Sequence, residues 1–217
     1  MNSGQKRKTR TNQGSTKQSV MAQQTIARLT AGRRSELMSR WNSLPTAWMP
    51  HASQGDLAKC IEIVVAFRRS IKDPAERSWY QPKVAALIAH FHEESGHASA
   101  AIVLYKRAAA LEIEGWVKAN SYTRLACLVR ADQPLSALHY LDLALACCSP
   151  RDSVLSSVVH SLLDLDEMVP IDAVLTKHRG LIKAAGRTKL LGGAKSIIFA
   201  CLKLDGARKS VGGRQRR

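Results

Sequence analysis

The sequence predicts an all-α protein, and three observations carry that expectation. The 217 residues are 45% hydrophobic but only 5% aromatic. A core must therefore come mainly from Leu, Ile, Val and Ala, which suits packed helices better than an aromatic-rich β-sandwich. Apolar residues recur at helical spacing in one stretch after another, each closed by Pro or Gly. No period-two run joined by a hairpin turn occurs anywhere. The length allows one domain of generous size or two small ones.

Taken in order, residues 1–18 (MNSGQKRKTRTNQGSTKQ) combine Gly, Ser, Thr, Asn and Gln with five cations. They have no apolar cluster whose burial would offset ordering, so a disordered basic arm is expected. From Val20 onward Ile26 and Leu29, then Leu37, Met38 and Trp41, predict two helical pieces or one kinked helix. The stretch NSLPTAWMPHASQG, with two prolines, reads as a connector that packs Trp48 onto the body. Leu57, Cys60, Ile61, Val64, Val65 and Phe67 predict a helix over 54–72, ended by Asp73-Pro74. A second segment covers 74–95, and Pro82 suggests that its first turns form a separate short piece. Gly96 punctuates before a helix over 97–112. Further helices are expected over 116–130, 134–147, 151–165, 171–185 and 190–204, eight or nine in all, arranged as antiparallel hairpins. The helical domain is thus placed at 19–204 and a basic tail at 205–217.

An internal repeat would set the architecture of such a chain. Aligning ASAAIVLYKRAAALE with PLSALHYLDLALACC places Ala101 over Ala137, Tyr105 over Leu141, Ala108 over Ala144 and Ala110 over Ala146, an offset of 36 residues. The first unit resembles a tetratricopeptide repeat: Ala89 matches the small residue of its first helix and Gly96 its turn glycine. Ala101, Tyr105 and Ala108 match the small, aromatic and small residues of the second helix. Small residues let two helices approach while the ring fills the gap beside them. The second unit keeps Ala137 and Ala144, with Asp132 at the turn and Pro150 after the end. GDLAKCIEIVVAF is a weaker relative with Gly55 at its turn. The resemblance covers 82–150 and departs from the family at Ala85, His92 and Leu141. It implies stacked helix hairpins and a peptide-binding groove, although Ala86, His90, Tyr122 and Ala126 do not supply the Lys/Asn clamp that grips an acidic peptide terminus. The fold expected is a tetratricopeptide-like superhelix or a generic helical bundle.

The charge is unevenly placed. Thirty-three Lys and Arg against seventeen Asp and Glu give +16. Residues 1–40 carry +8 and residues 177–217 carry +11, leaving −3 on residues 41–176. Cations on terminal segments release counterions when they neutralise phosphates, so salt-sensitive, sequence-independent binding to nucleic acid is expected, with RNA ahead of DNA. The candidate contacts are Lys6, Arg7, Lys8, Arg10, Lys17, Arg28, Arg33 and Arg34 at one end. At the other they are Lys183, Arg187, Lys189, Arg208, Lys209, Arg214, Arg216 and Arg217. QKRKTR also fits a nuclear import address. No base-reading module is visible, so contacts should be electrostatic.

Other chemistry finds little support in the sequence. HFHEESGH offers His90, His92, Glu93, Glu94 and His97, but the zinc-protease spacing of two His at i and i+4 flanking a Glu is not met. GLIKAAGRT and GGAKS each echo only part of a phosphate loop. Neither a catalytic residue, a metal site nor a cofactor is expected. Cys60, Cys127, Cys147, Cys148 and Cys201 form no Cys-x-x-Cys pair and are expected as reduced core residues. The four Trp are expected as buried anchors. No apolar run is long enough to span a membrane, and with no signal segment in the first twenty residues a cytoplasmic or nuclear location is expected.

The resulting expectation is a non-enzymatic helical interaction protein. Its basic ends bind RNA or another polyanion, and its body binds a protein partner or forms a homo-oligomer. Two alternatives remain: a nucleocapsid or coat-type subunit that packages a nucleic-acid genome, and a protein–protein adaptor with a basic import signal.

Overall fold

The structure is a computed structural model. It describes residue 24, residues 29–188 and residues 190–214, with side chains through 205. The expected arm, residues 1–18, lies outside the described residues, as does most of the helix expected from Val20 to Leu29. Every regular element among the described residues is helical, in agreement with the all-α expectation. The chain divides into two compact units, Met1–Ile113 and Glu114–Arg217. The first holds α1 (Ala31–Ser43), α2 (Pro45–Ala52), α3 (Leu57–Ser70), α4 (Pro74–Glu94) and α5 (Ala98–Leu111). The second holds α6 (Gly115–Val129), α7 (Pro134–Cys147), α8 (Val154–Leu165), α9 (Asp172–Lys177), α10 (Arg179–Gly186) and α11 (Lys195–Arg214).

In the first unit three of the five helix starts are capped by a side chain. Thr30 accepts from the Arg33 amide, Asp56 from that of Lys59, and Asp73 from those of Ala75 and Glu76. The stops are equally specific. Gly55 and Gly96 have φ of 76° and 75°, a left-handed conformation that glycine adopts without a Cβ penalty. The His97 amide donates to the His92 carbonyl and the Gly96 amide to that of Glu93, a Schellman closure of α4. Asp56 and Gly55 donate in the same pattern to His51 and Ala52. Trp41, Phe67, Tyr80 and Trp79 form one group of ring contacts and Trp48 pairs with Phe91, with centroids 4.8 to 6.1 Å apart where the rings meet edge-on or tilted. The buried Tyr80 hydroxyl donates to the Leu37 carbonyl at 2.9 Å, tying α4 to α1. Deeper still, Lys83 of α4 meets Glu112, just past α5, at 3.2 Å.

The second unit is built on the α6–α7 hairpin and on α8, whose Leu155, Val158, Val159, Leu162 and Leu165 are all buried. Gly115 opens α6 against the end of α7, where a Cβ would lie 2.4 Å from the Cys147 carbonyl oxygen. Ion pairs hold the later helices. Asp142 of α7 receives Lys177 and His178, each at 2.7 Å. Asp205 receives Lys183 at 2.5 Å, Lys203 pairs with Asp166 and lies 3.7 Å from Asp172, and Arg179 donates to the Leu204 carbonyl at 3.1 Å.

Several expectations are corrected. The 42–55 connector contains α2, because Pro45 occupies the first helical turn, where a missing N–H costs nothing. Pro82 does not split α4. An interior proline costs about 3 kcal/mol, and here burial of Trp79, Tyr80, Val84 and Phe91 on both sides of it holds the helix together. The helix expected over 171–185 is two, divided at His178, whose φ of −98° and ψ of 15° leave the helical path while its ring is held by Asp142. The last helix starts at Lys195, after Gly192 and Gly193, and continues through Arg214 into the segment expected as tail. Eleven helices are present among the described residues, against eight or nine expected. The core is drawn mainly from Leu, Ile, Val and Ala, as expected, and six aromatics gather within it in the first unit. Trp116 is half exposed, Cys127 is exposed, and Cys148 lies past the end of α7.

At the 36-residue offset the burial pattern recurs. Ala85, Ala89, Ala101, Tyr105 and Ala108 are buried, as are Ser121, Leu125, Ala137, Leu141 and Ala144 at the matching positions.

Three alanine substitutions should rank by backbone environment. In urea melts Gly96→Ala should cost about 1 kcal/mol through its positive φ, and Gly115→Ala more, because its Cβ meets backbone. Gly32→Ala, in open space inside α1, should stabilise by about 0.5 to 1 kcal/mol. Equal effects at all three would contradict these assignments.

Candidate nucleic-acid interface

Of the cations expected to meet nucleic acid, Lys6, Arg7, Lys8, Arg10, Lys17, Arg28, Lys189, Arg216 and Arg217 lie outside the described residues. The side chains of Arg208, Lys209 and Arg214 are not described either. Arg33, Arg34, Lys183 and Arg187 can be placed, and they fall in two groups, one in each unit. Arg33 is an internal clamp. It bonds Glu36 at 2.6 Å and the buried Glu76, which also faces Arg40 at 4.0 Å. The hydrogen bond to Glu76 raises the Arg33 pKa further. Arg34 is exposed and donates from Nε to the Leu29 carbonyl at 3.2 Å. Lys183 is held by Asp205, and Arg187 donates to the Lys183 carbonyl at 3.3 Å.

The C-terminal basic run thus has two kinds of cation. Lys177, Lys183 and Lys203 hold helices together through carboxylates. The Asp166 hydrogen bond raises the Lys203 pKa, against the opposing effect of burial. Arg187 and Lys195 have no carboxylate within ion-pair distance among the described residues and remain candidates for an external anion.

Sequence reasoning missed a third group. Arg68 and Arg69, in the last turn of α3, and Arg77, in the first turns of α4, line a cleft of about 390 Å³ together with Val65 among the described residues. All three arginines are exposed, and among the described residues no carboxylate lies within ion-pair distance of any of them. Arg77 is fixed in place: Nε and Nη2 donate to the Ile71 carbonyl at 3.2 and 2.8 Å, capping the end of α3. The two acids of this turn are already engaged, Asp73 in capping α4 and Glu76 by Arg33. FRRSIKDPAER was visible as a basic turn, but it lies in a body whose net charge is −3.

A fourth feature is apolar. Phe199 and Leu202 of α11 are 61% and 62% exposed. With His160, Leu163, Lys195 and Ser196 they line a groove of about 600 Å³.

The histidine cluster spans the end of α4 and the turn that follows it. His90 Nδ1 is 3.8 Å from Glu94, the His92 and His97 rings are 5.8 Å apart, and Glu93 accepts from the Tyr105 hydroxyl at 2.8 Å. Among the described residues no group of three or more His, Cys, Asp or Glu is placed to hold a metal ion. GLIKAAG lies within α10, so it is helix and not a phosphate loop. Burial raises the thiol pKa of Cys148, to about 12, which leaves it un-ionised at neutral pH. No helix among the described residues is long and apolar enough to cross a membrane.

The Asp142 cluster gives a pH signature. Burial alone would raise this carboxyl, but hydrogen bonds from Lys177 and His178 outweigh it and hold the pKa below the usual 3.8. A depressed carboxylate contributes stability above its unfolded pKa and loses it as pH falls through the folded value. Stability of the native chain should therefore drop more steeply below about pH 4 than that of Asp142→Asn, which should start about 1 kcal/mol lower at neutral pH. Urea melts from pH 6 to pH 2 test this, and parallel curves would contradict it.

No protein-family model matches the chain, and no curated protein and no solved structure matches it.

Proposed function

We propose that this chain is a non-enzymatic, helical nucleic-acid-binding protein. Its terminal basic segments hold the phosphate backbone, RNA being the preferred ligand, and its helical body makes protein contacts. The observation that carries this reading is the charge partition, +8 and +11 flanking a body of −3. It is refined by the internal pairing of Arg33 and Lys183, which moves the burden to the remaining candidates at each end. The groove with Phe199 and Leu202 supports the protein-contact half of the reading, because large exposed apolar groups in a recess favour an apolar partner surface. The shared burial pattern of α4–α5 and α6–α7 supports tetratricopeptide-like hairpins as the scaffold. Five free thiols suit a reducing compartment, cytoplasmic or nuclear.

The test is titration of a labelled single-stranded RNA at several salt concentrations. One arm uses the native chain. The other uses a variant with Lys6, Arg7, Lys8, Arg10, Arg208, Lys209, Arg214, Arg216 and Arg217 replaced by Gln. The salt slope should fall by about 0.7 for each phosphate that is no longer neutralised, with affinity at least about tenfold weaker at moderate salt. An unchanged slope would contradict terminal binding. Light scattering during the same titration should show a complex of fixed stoichiometry. Growth into large assemblies would instead favour a genome-packaging subunit.

A further inference from the structure

The arginine cleft at the α3–α4 turn holds more cations than its structural role requires. Arginine is costly to hold without purpose in a recess, since three like charges repel one another. Several other cations of this chain are neutralised from within: Arg33, Lys59, Lys83, Lys177, Lys183 and Lys203 each reach a carboxylate. Arg68, Arg69 and Arg77 reach none among the described residues. Arg77 is anchored through Nε and Nη2 to backbone carbonyls, and among the described residues nothing accepts from its Nη1. An anchored guanidinium keeps its remaining donors in a fixed plane, the arrangement that suits a phosphate oxygen pair. Asp73 and Glu76 are held by other groups and stay out of competition for the arginines.

We infer that this cleft grips the phosphodiester backbone of a single-stranded nucleic acid. The inference rests on the proposed nucleic-acid function and adds a site in the body to the terminal segments. A recess of about 390 Å³ between two helix ends has room for the phosphate and sugar of one flexible strand. Val65 offers the sugar an apolar wall. The three guanidiniums supply donors in excess of what one phosphate accepts, so two adjacent phosphates are the expected occupancy.

The experiment uses the full chain, with oligouridylate and oligothymidylate as probes and fluorescence anisotropy at several salt concentrations. Three double variants are compared with the native chain: Arg68→Gln/Arg69→Gln, Arg68→Lys/Arg69→Lys, and the control Lys106→Gln/Arg107→Gln, an equally charged, exposed pair on α5. Circular dichroism confirms that each stays helical. The glutamine variant should lower the salt slope by about 1.4, two phosphates at about 0.7 each, and weaken both oligonucleotides about tenfold, while the control changes affinity less than about threefold. The lysine variant should keep most of the slope while losing affinity, because charge remains and the fork is gone. Equal losses in the glutamine variant and the control would overturn the cleft and leave terminal binding standing. A loss on one oligonucleotide but not the other would overturn phosphate as the ligand. Failure of the native chain to bind either would overturn both readings.

Discussion

The contact on which the first unit depends is the buried pair of Lys83 and Glu112, 4% and 1% exposed. Removing two such ions from water costs several kcal/mol each, and their attraction offsets that only when hydrogen bonds complete the site. Here they do. Glu112 also accepts from the Ile113 amide at 2.9 Å, and the Lys83 ammonium sits 4.0 Å from the centroid of the Trp79 ring. The pair joins the middle of α4 to the end of α5, so it fixes the register of the hairpin. The same helix α4 carries Tyr80 and Glu76, which receive α1, and Arg77, which closes the turn from α3.

The same principle, neutralisation of cations from within, runs through the second unit and changes the meaning of the +16. Asp142, Asp166 and Asp172 lie outside the C-terminal basic run, yet Lys177 and Lys203 of that run bond to them. Part of what looked like a ligand-seeking tail is therefore framework. Of the cations that lack such a partner among the described residues, three converge in a cleft far from either terminus in sequence.

How much of this was legible follows from the range of each interaction. Helix α7 was read to the residue, because Pro134 at its first turn and the break after Cys147 are local signals. Gly55 and Gly96 were read as turns for the same reason, and both adopt the positive φ that only glycine takes easily. Pro50 and Pro82 misled, since their effect is local while the burial that outweighs them is tertiary. The break at His178, whose ring meets Asp142 36 residues earlier, left no mark at the position itself. Whole-chain composition hid the gathering of aromatics in the first unit. The net charge of the body likewise hid the cleft, because an acid cancels an arginine in a sum without touching it in space.

A double-mutant cycle on Lys83 and Glu112 tests most directly whether internal charge pairing organises this structure. Lys83→Met and Glu112→Gln each remove one charge of the pair while the other stays buried, so each should cost about 3 kcal/mol or more in urea melts. The double variant should recover a large part of that loss, giving a coupling energy of about 2 kcal/mol. Additive losses, with coupling below about 0.5 kcal/mol, would contradict the account.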